Sequence, residues 1–234
     1  CVRVVTLLAS AFIWLLDLNQ PLFLGLNQGG VSAFDNEIHD RFWASTTLLG
    51  DTLVAFSLLA LFLRKGFDIV WMLFLTALFT TLWVHGLKNS VDSLRPLAML
   101  GPDSVHVIGA ALNKYSFPSG HTATAFTLAA VICLRGVHPA LAISALLLAI
   151  LAGVSRAMVG AHWPIDILAG ALGGWLAALI GMRLLARRPA PTQPVAHNVL
   201  KGTLFAVALT VPAITPSGSP LAHPGHMRPR LSDL

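Results

Sequence analysis

Six apolar runs, at residues 4–16, 44–63, 69–84, 122–134, 140–154 and 165–185, decide what this chain of 234 residues can fold into. A helix needs about 20 apolar residues to cross the hydrocarbon core of a bilayer. The runs at 44–63 and 165–185 meet that length, while the first, fourth and fifth must borrow flanking residues or end inside protein. Charged residues make up 11% of the chain against 56% hydrophobic, and the mean hydropathy is +0.75. That leaves too little polar surface to clothe a water-soluble domain of this size. The expected fold is all-α, a polytopic membrane bundle of six transmembrane helices over residues 1–188.

The run behind Arg3 reads as a membrane helix and not a signal peptide, since no clear small-residue cleavage site follows it. A start at Cys1 instead of Met reads as truncation or processing. Pro189, Pro191 and Pro194 mark a linker. The apolar stretch 199–214 stays open between a seventh span, an interfacial helix and a docked tail. The Pro- and Gly-rich end of the chain reads as disordered, with His223 and His226 as tail residues and not metal ligands.

The excess of basic residues, +5 at pH 7, forms no continuous stripe of the kind nucleic acid requires. Arg3, Arg64, Lys65, Arg135, Arg183, Arg187 and Arg188 instead fall on one side of a six-span serpentine. That side is expected to be the cytoplasm, with the N-terminus there and the protein integral to the plasma (inner) membrane. Segments 17–43, 87–121 and 155–163 then face outward.

Three polar clusters converge on the outward side: Lys88 with Arg95-Pro96, then Pro118-Ser119-Gly120-His121, then Ser155-Arg156 with His162 and Asp166. Lys88, Arg95 and Arg156 supply three positive charges, two of them planar forks suited to phosphoryl oxygens. Ser119 is placed to cap a helix whose first amides, at Gly120 and His121, suit an anion. If Pro164 opens a helix, His162 and Asp166 lie four residues apart on one face. Asp166 would then fix the imidazole tautomer, leaving His162 as nucleophile and His121 as general acid. No cluster of Asp, Glu or Cys suggests a metal site, so metal-free phosphoryl chemistry without a cofactor is expected, with the cations stabilising charge.

In order and spacing these residues resemble the tripartite signature of the type 2 phosphatidic acid phosphatase (PAP2) superfamily. The resemblance implies that His162 forms a phosphohistidine, His121 protonates the leaving group and Asp166 orients the nucleophile. It also implies that Lys88, Arg95, Ser119, Gly120 and Arg156 bind phosphate, with Ser155 less closely tied to that role. The expected partner is a phosphorylated lipid in the bilayer: undecaprenyl diphosphate, phosphatidic acid, phosphatidylglycerol phosphate or lipid A. A lipid-to-lipid phosphotransferase is the second reading, and a non-catalytic transporter or sensor the third. His39, His85, His106 and His138 show no partner pattern and read as loop or interface residues. Trp83 and Trp163 read as interface anchors, Asp92 and Ser93 as solvated, and Gly170, Gly173 and Gly174 as sites of close helix packing.

Overall fold

The computed structural model describes residues 17–29, 36–52, 54–55 and 67–187, with positions 198 and 202 in isolation. The α-helices bounded within the described residues are α1 (Asn19–Gly29), α2 (Asn36–Thr47), α3 (Phe67–Ser90), α4 (Pro96–Leu100), α5 (Gly120–Leu134), α6 (Pro139–Met158) and α7 (Pro164–Arg187). A 3₁₀ turn, Leu48–Gly50, follows α2. Among the described residues there is no strand, so the all-α expectation holds.

Helices α3, α5, α6 and α7 grow from four of the apolar runs, each extended by a few residues at its ends. Among the described residues, α6 and α7 are long and apolar enough to cross a membrane, with hydropathies of 2.0 and 1.8, and α5 is a shorter apolar helix. The expected first span and the stretch 199–214 lie outside the described residues. The run at 44–63 is described only to position 55, where α2, the 3₁₀ turn and Asp51 interrupt the single continuous span the sequence suggested. Segment 17–43, expected only as an outer connection, carries α1 and most of α2.

The core forms where α5 packs on α6 and α7, around Phe126, Ala130, Ala152, Ala171, Trp175 and Ala178. Small residues let the backbones meet. A Cβ at Gly170 would stand 2.5 Å from the Ser119 carbonyl oxygen, and one at Gly174 would stand 2.6 Å from that of Ala123. At Gly173 a Cβ would overlap the Trp83 indole. The close-packing reading of these glycines is therefore correct. Trp83 is a packing residue, its Nε1 donating to the Ala169 carbonyl at 3.2 Å, rather than an interface anchor.

Helix α1 closes the other end of this assembly. Phe23, fully buried, packs on Trp163 with ring centroids 5.1 Å apart. Trp163 is also buried, its Nε1 donating to the Leu94 carbonyl, so it too is a core residue and not an anchor. The Asn27 amide nitrogen donates to the carbonyls of His106, Ala157 and Met158, and its oxygen accepts from the His106 amide at 2.8 Å. Asn19 Oδ1 accepts from the Ile165 N–H at 3.0 Å, satisfying an open donor in the first turn of α7.

Replacing Gly174 by Ala should force α5 and α7 apart. Overpacking of this kind costs about 1–3 kcal/mol, and a lowered Tm in detergent, against little change for the exposed Gly25→Ala, is the expected result.

Candidate active site

The chain reverses after α6 through Gly160, whose φ of +74° is a conformation that glycine adopts without strain. The Ala161 and His162 amides then both donate to the Arg156 carbonyl, at 3.0 and 3.1 Å. His162 therefore sits before α7, which begins at Pro164. The expected helical pairing of His162 with Asp166 needs correction, because the two residues meet across a turn and a helix start. Asp166 occupies the first turn of α7, and its Oδ2 accepts from the Trp163 amide at 2.9 Å, a carboxylate closing back on the helix entrance. The same oxygen lies 3.4 Å from His162 Nδ1. On the other side of the ring, Arg95 NH1 lies 3.4 Å from Nε2. A guanidinium only donates, so Nε2 carries the lone pair and Nδ1 the proton.

Arg95, before the short helix α4, is held by its own donors: Nε to the Lys114 carbonyl and NH1 to the Ala161 carbonyl, both at 2.8 Å. Arg156, in the last turn of α6, donates to Thr47 Oγ1 at 2.5 Å, while its buried Nε has no partner among the described residues. Lys88, at the end of α3, is half-buried and feels the charges of Arg95, Arg156 and Asp166. Ser119 is buried and caps α5, its Oγ accepting from the Thr122 amide and hydroxyl, and its own amide donates to the Asp166 carbonyl at 3.0 Å. Gly120 and His121 open α5, and His121 lies within electrostatic range of Arg156, His162, Lys88 and Arg95.

All eight expected site residues thus converge on one end of the bundle. Ser155 is different: its buried hydroxyl bonds back to the Ala152 carbonyl at 2.7 Å, within its own helix. The salt bridges among the described residues leave out Lys88, Arg95 and Arg156, although both arginines are buried. Three cations thus gather around a single carboxylate, Asp166, and burying such an excess of charge is costly.

Sequence reasoning missed four uncharged or lightly charged contributors. Ser116 Oγ donates to Asp166 Oδ2 at 2.5 Å. Ser93, expected to be solvated, accepts from the Ser116 amide through its carbonyl and from the Phe117 amide through its hydroxyl. His39 and His106, read as lacking partners, both meet Asp40, at 3.3 and 2.7 Å. Their ligand atoms lie within 4.8 Å of one another, a spacing open to a cation. However, Trp43 Nε1 donates to His39 Nε2 at 3.0 Å. An indole only donates, so the His39 proton stays on Nδ1, the atom a metal would need. The cluster is a hydrogen-bonded relay that ties α2 to the segment before α5.

Burial pushes the His162 imidazole down to about 4, against the upward pull of the Asp166 hydrogen bond. The folded protein therefore binds fewer protons than the unfolded chain below the ordinary histidine value of about 6.5, so this group makes stability fall as pH falls from about 6.5 toward 4. The full loss is about 3 kcal/mol at roughly 1.4 kcal/mol per unit. Melting curves from pH 7.5 to 5 should show a steeper fall in Tm for the wild type than for His162→Gln.

An all-helical bundle with a histidine-centred cationic cluster at one end defines the class, and similarity to known proteins supplies the family. Residues 66–190, more than half of the chain, match the PAP2 superfamily, and the chain belongs to that family. It is 36% identical over 115 residues to a lipid A 1-phosphatase of Rhizobium etli, covering 46% of this chain and 47% of the relative. An undecaprenyl-diphosphatase of Sulfolobus acidocaldarius is 34% identical over 93 residues, 39% of this chain and 44% of the relative. The chain thus matches under half the length of these curated relatives. Among solved structures, Aquifex aeolicus LpxE superposes with a TM-score of 0.63 at 32% identity, covering 71% of this chain and 95% of that one. A transmembrane PAP2 type phosphatidylglycerolphosphate phosphatase from Bacillus subtilis shares the fold, with a TM-score of 0.59 at 22% identity over 82% of this chain and 97% of its own.

Proposed function

We propose that the protein is a membrane lipid phosphatase that hydrolyses a lipid phosphomonoester or diphosphate through a phosphohistidine, without metal. The observation that carries this reading is the convergence of three cations, without salt bridges among the described residues, on an imidazole whose Nε2 carries its lone pair on the side facing Arg95, away from Asp166. In this mechanism Lys88, Arg95, Arg156 and the amides at the start of α5 hold the phosphoryl oxygens. His162 Nε2 forms a bond to phosphorus as the bond to the lipid oxygen breaks, and His121 gives its proton to that oxygen. Water then attacks phosphorus and passes a proton to His121, the N–P bond breaks and phosphate leaves. Asp166 keeps the Nδ1 proton in place throughout. The fixed cations stabilise the charge on the equatorial oxygens in both steps.

Lipid A bearing a 1-phosphate is the first substrate to test, supported by relatives in two Rhizobium species at 36% and 35% identity. Undecaprenyl diphosphate is the second, supported by the relative at 34%. With six spans and a cytoplasmic N-terminus, as the distribution of basic residues suggests, the site would lie at the extracytoplasmic face, with a phosphate head group within reach while its chains stay in the bilayer.

His162→Ala should lower phosphate release from every lipid tested by at least about a thousandfold, in line with loss of a nucleophile. Vanadate should inhibit the wild type, and EDTA should leave it active. Phosphate release that survives in His162→Ala would sink the assignment. Radiolabelled substrate offered together with acceptor lipids should yield label in free phosphate, whereas label in an acceptor lipid would make the protein a transferase.

A further inference from the structure

Ser116 is fully buried, lies outside the three motifs and contributes nothing to their charge, yet its hydroxyl makes a 2.5 Å bond to the carboxylate behind His162. Asp166 Oδ2 accepts three donors: Ser116 Oγ, the Trp163 amide at 2.9 Å and His162 Nδ1 at 3.4 Å. The two shorter bonds come from groups other than the histidine, so they decide where the oxygen stands. Trp163 belongs to the same turn as Asp166, whereas Ser116 comes from the irregular segment before α5, 50 residues away in the chain.

Ser116 is itself held from several directions. Its amide donates to the Ser93 carbonyl at 3.1 Å, and the next amide, at Phe117, donates to Ser93 Oγ at 2.8 Å. The two carbonyls before it, at Lys114 and Tyr115, both face the Arg95 guanidinium, at 2.8 and 3.4 Å. Tyr115 takes a φ of +56°, in the left-handed region that a bulky residue seldom occupies. The segment is thus bent so that its carbonyls meet the phosphate-binding arginine and its hydroxyl meets the carboxylate.

From this geometry we infer that Ser116 is a positioning residue of the reaction: its hydroxyl fixes Asp166 Oδ2 and so sets the orientation and protonation of His162. The inference rests on the proposed phosphohistidine chemistry. A third donor on Oδ2 keeps the negative charge on the carboxylate and leaves the Nδ1 proton with the imidazole when the ring becomes positively charged. Without it, Oδ2 turns wholly to His162 and favours the imidazolium, so the ring protonates at a higher pH and its aim at phosphorus loosens. The charged and titratable groups around His162 are Arg95, His121 on α5, Arg156 on α6 and Asp166 on α7, with Lys88 of α3 facing the two arginines and Asp166.

The test compares full-length Ser116→Ala, Ser116→Cys and Ser116→Thr in detergent, with para-nitrophenyl phosphate and a lipid phosphate as substrates. Ala removes the donor, Cys fills nearly the same space with a weak one, and Thr keeps the hydroxyl. Ala and Cys should lower kcat about tenfold with KM within about twofold, the loss expected for one hydrogen bond to a charged group. They should also move the acid limb of the kcat/KM profile upward by about half a unit or more, while Thr restores both. A Ser116→Cys enzyme with wild-type kcat and an unmoved limb would overturn the inference. So would equal losses in Cys and Thr with the limb unmoved, which is what a purely structural role produces. If Ser116→Ala is not recovered folded, the Cys and Thr pair decides alone. Activity in His162→Ala would instead overturn the phosphohistidine reading, whatever the Ser116 variants do.

Discussion

The approach of α7 to α5 through glycine is the contact on which the site depends. Gly170 faces the Ser119 carbonyl and Gly174 the Ala123 carbonyl, at separations that leave no room for even a methyl group. At that distance the Ser119 amide reaches the Asp166 carbonyl, and the starts of two helices come together. One helix start offers amides and His121, while the other presents Asp166 behind His162. A wider spacing would separate His121 from His162 by the thickness of a side chain, and in a reaction of the proposed kind a shift of about 1 Å can cost about a hundredfold in rate. The small residues of α7 thus set the spacing of the candidate site.

Charge was the part of the site written most plainly in the sequence. In a chain with 11% charged residues, Lys88, Arg95, Arg156 and Asp166 stand out against apolar surroundings. Their positions at the ends of apolar runs were enough to bring them to one face. Helices α3, α5, α6 and α7 were legible for a related reason, since long apolar stretches leave the backbone few other ways to satisfy its hydrogen bonds. Helices α1 and α2 were not legible, because they are short, mixed in composition and held by contacts with distant segments. The local geometry of His162 also escaped: a spacing of four residues suits a helical turn, but Gly160 and Pro164 put the histidine before the helix and leave the aspartate inside it.

Ser116, Ser93, Asn19 and Asn27 were invisible for a different reason. An uncharged polar side chain in an irregular segment has no periodicity and no charge to mark it, and its role exists only once its partner is in place. Each of these residues makes between one and four hydrogen bonds to backbone or carboxylate groups of another segment. Together they show how the site divides its work. Charged groups gather at one end of the bundle, while neutral ones tie down Asp166 and the backbone segments around it.

The reach of α1 changes where the working unit of this protein begins. The family match starts at residue 66, and the three motifs run from Lys88 to Asp166. Yet Asn27 joins the carbonyls at the end of α6 to the segment carrying His106, Asn19 caps the helix that bears Asp166, and Phe23 fills the space beside Trp163. A fragment trimmed to the family boundaries would keep all three motifs and lose the element that closes the turn holding His162. For anyone cutting, fusing or transplanting this domain, the usable boundary lies before Asn19, well upstream of the first motif.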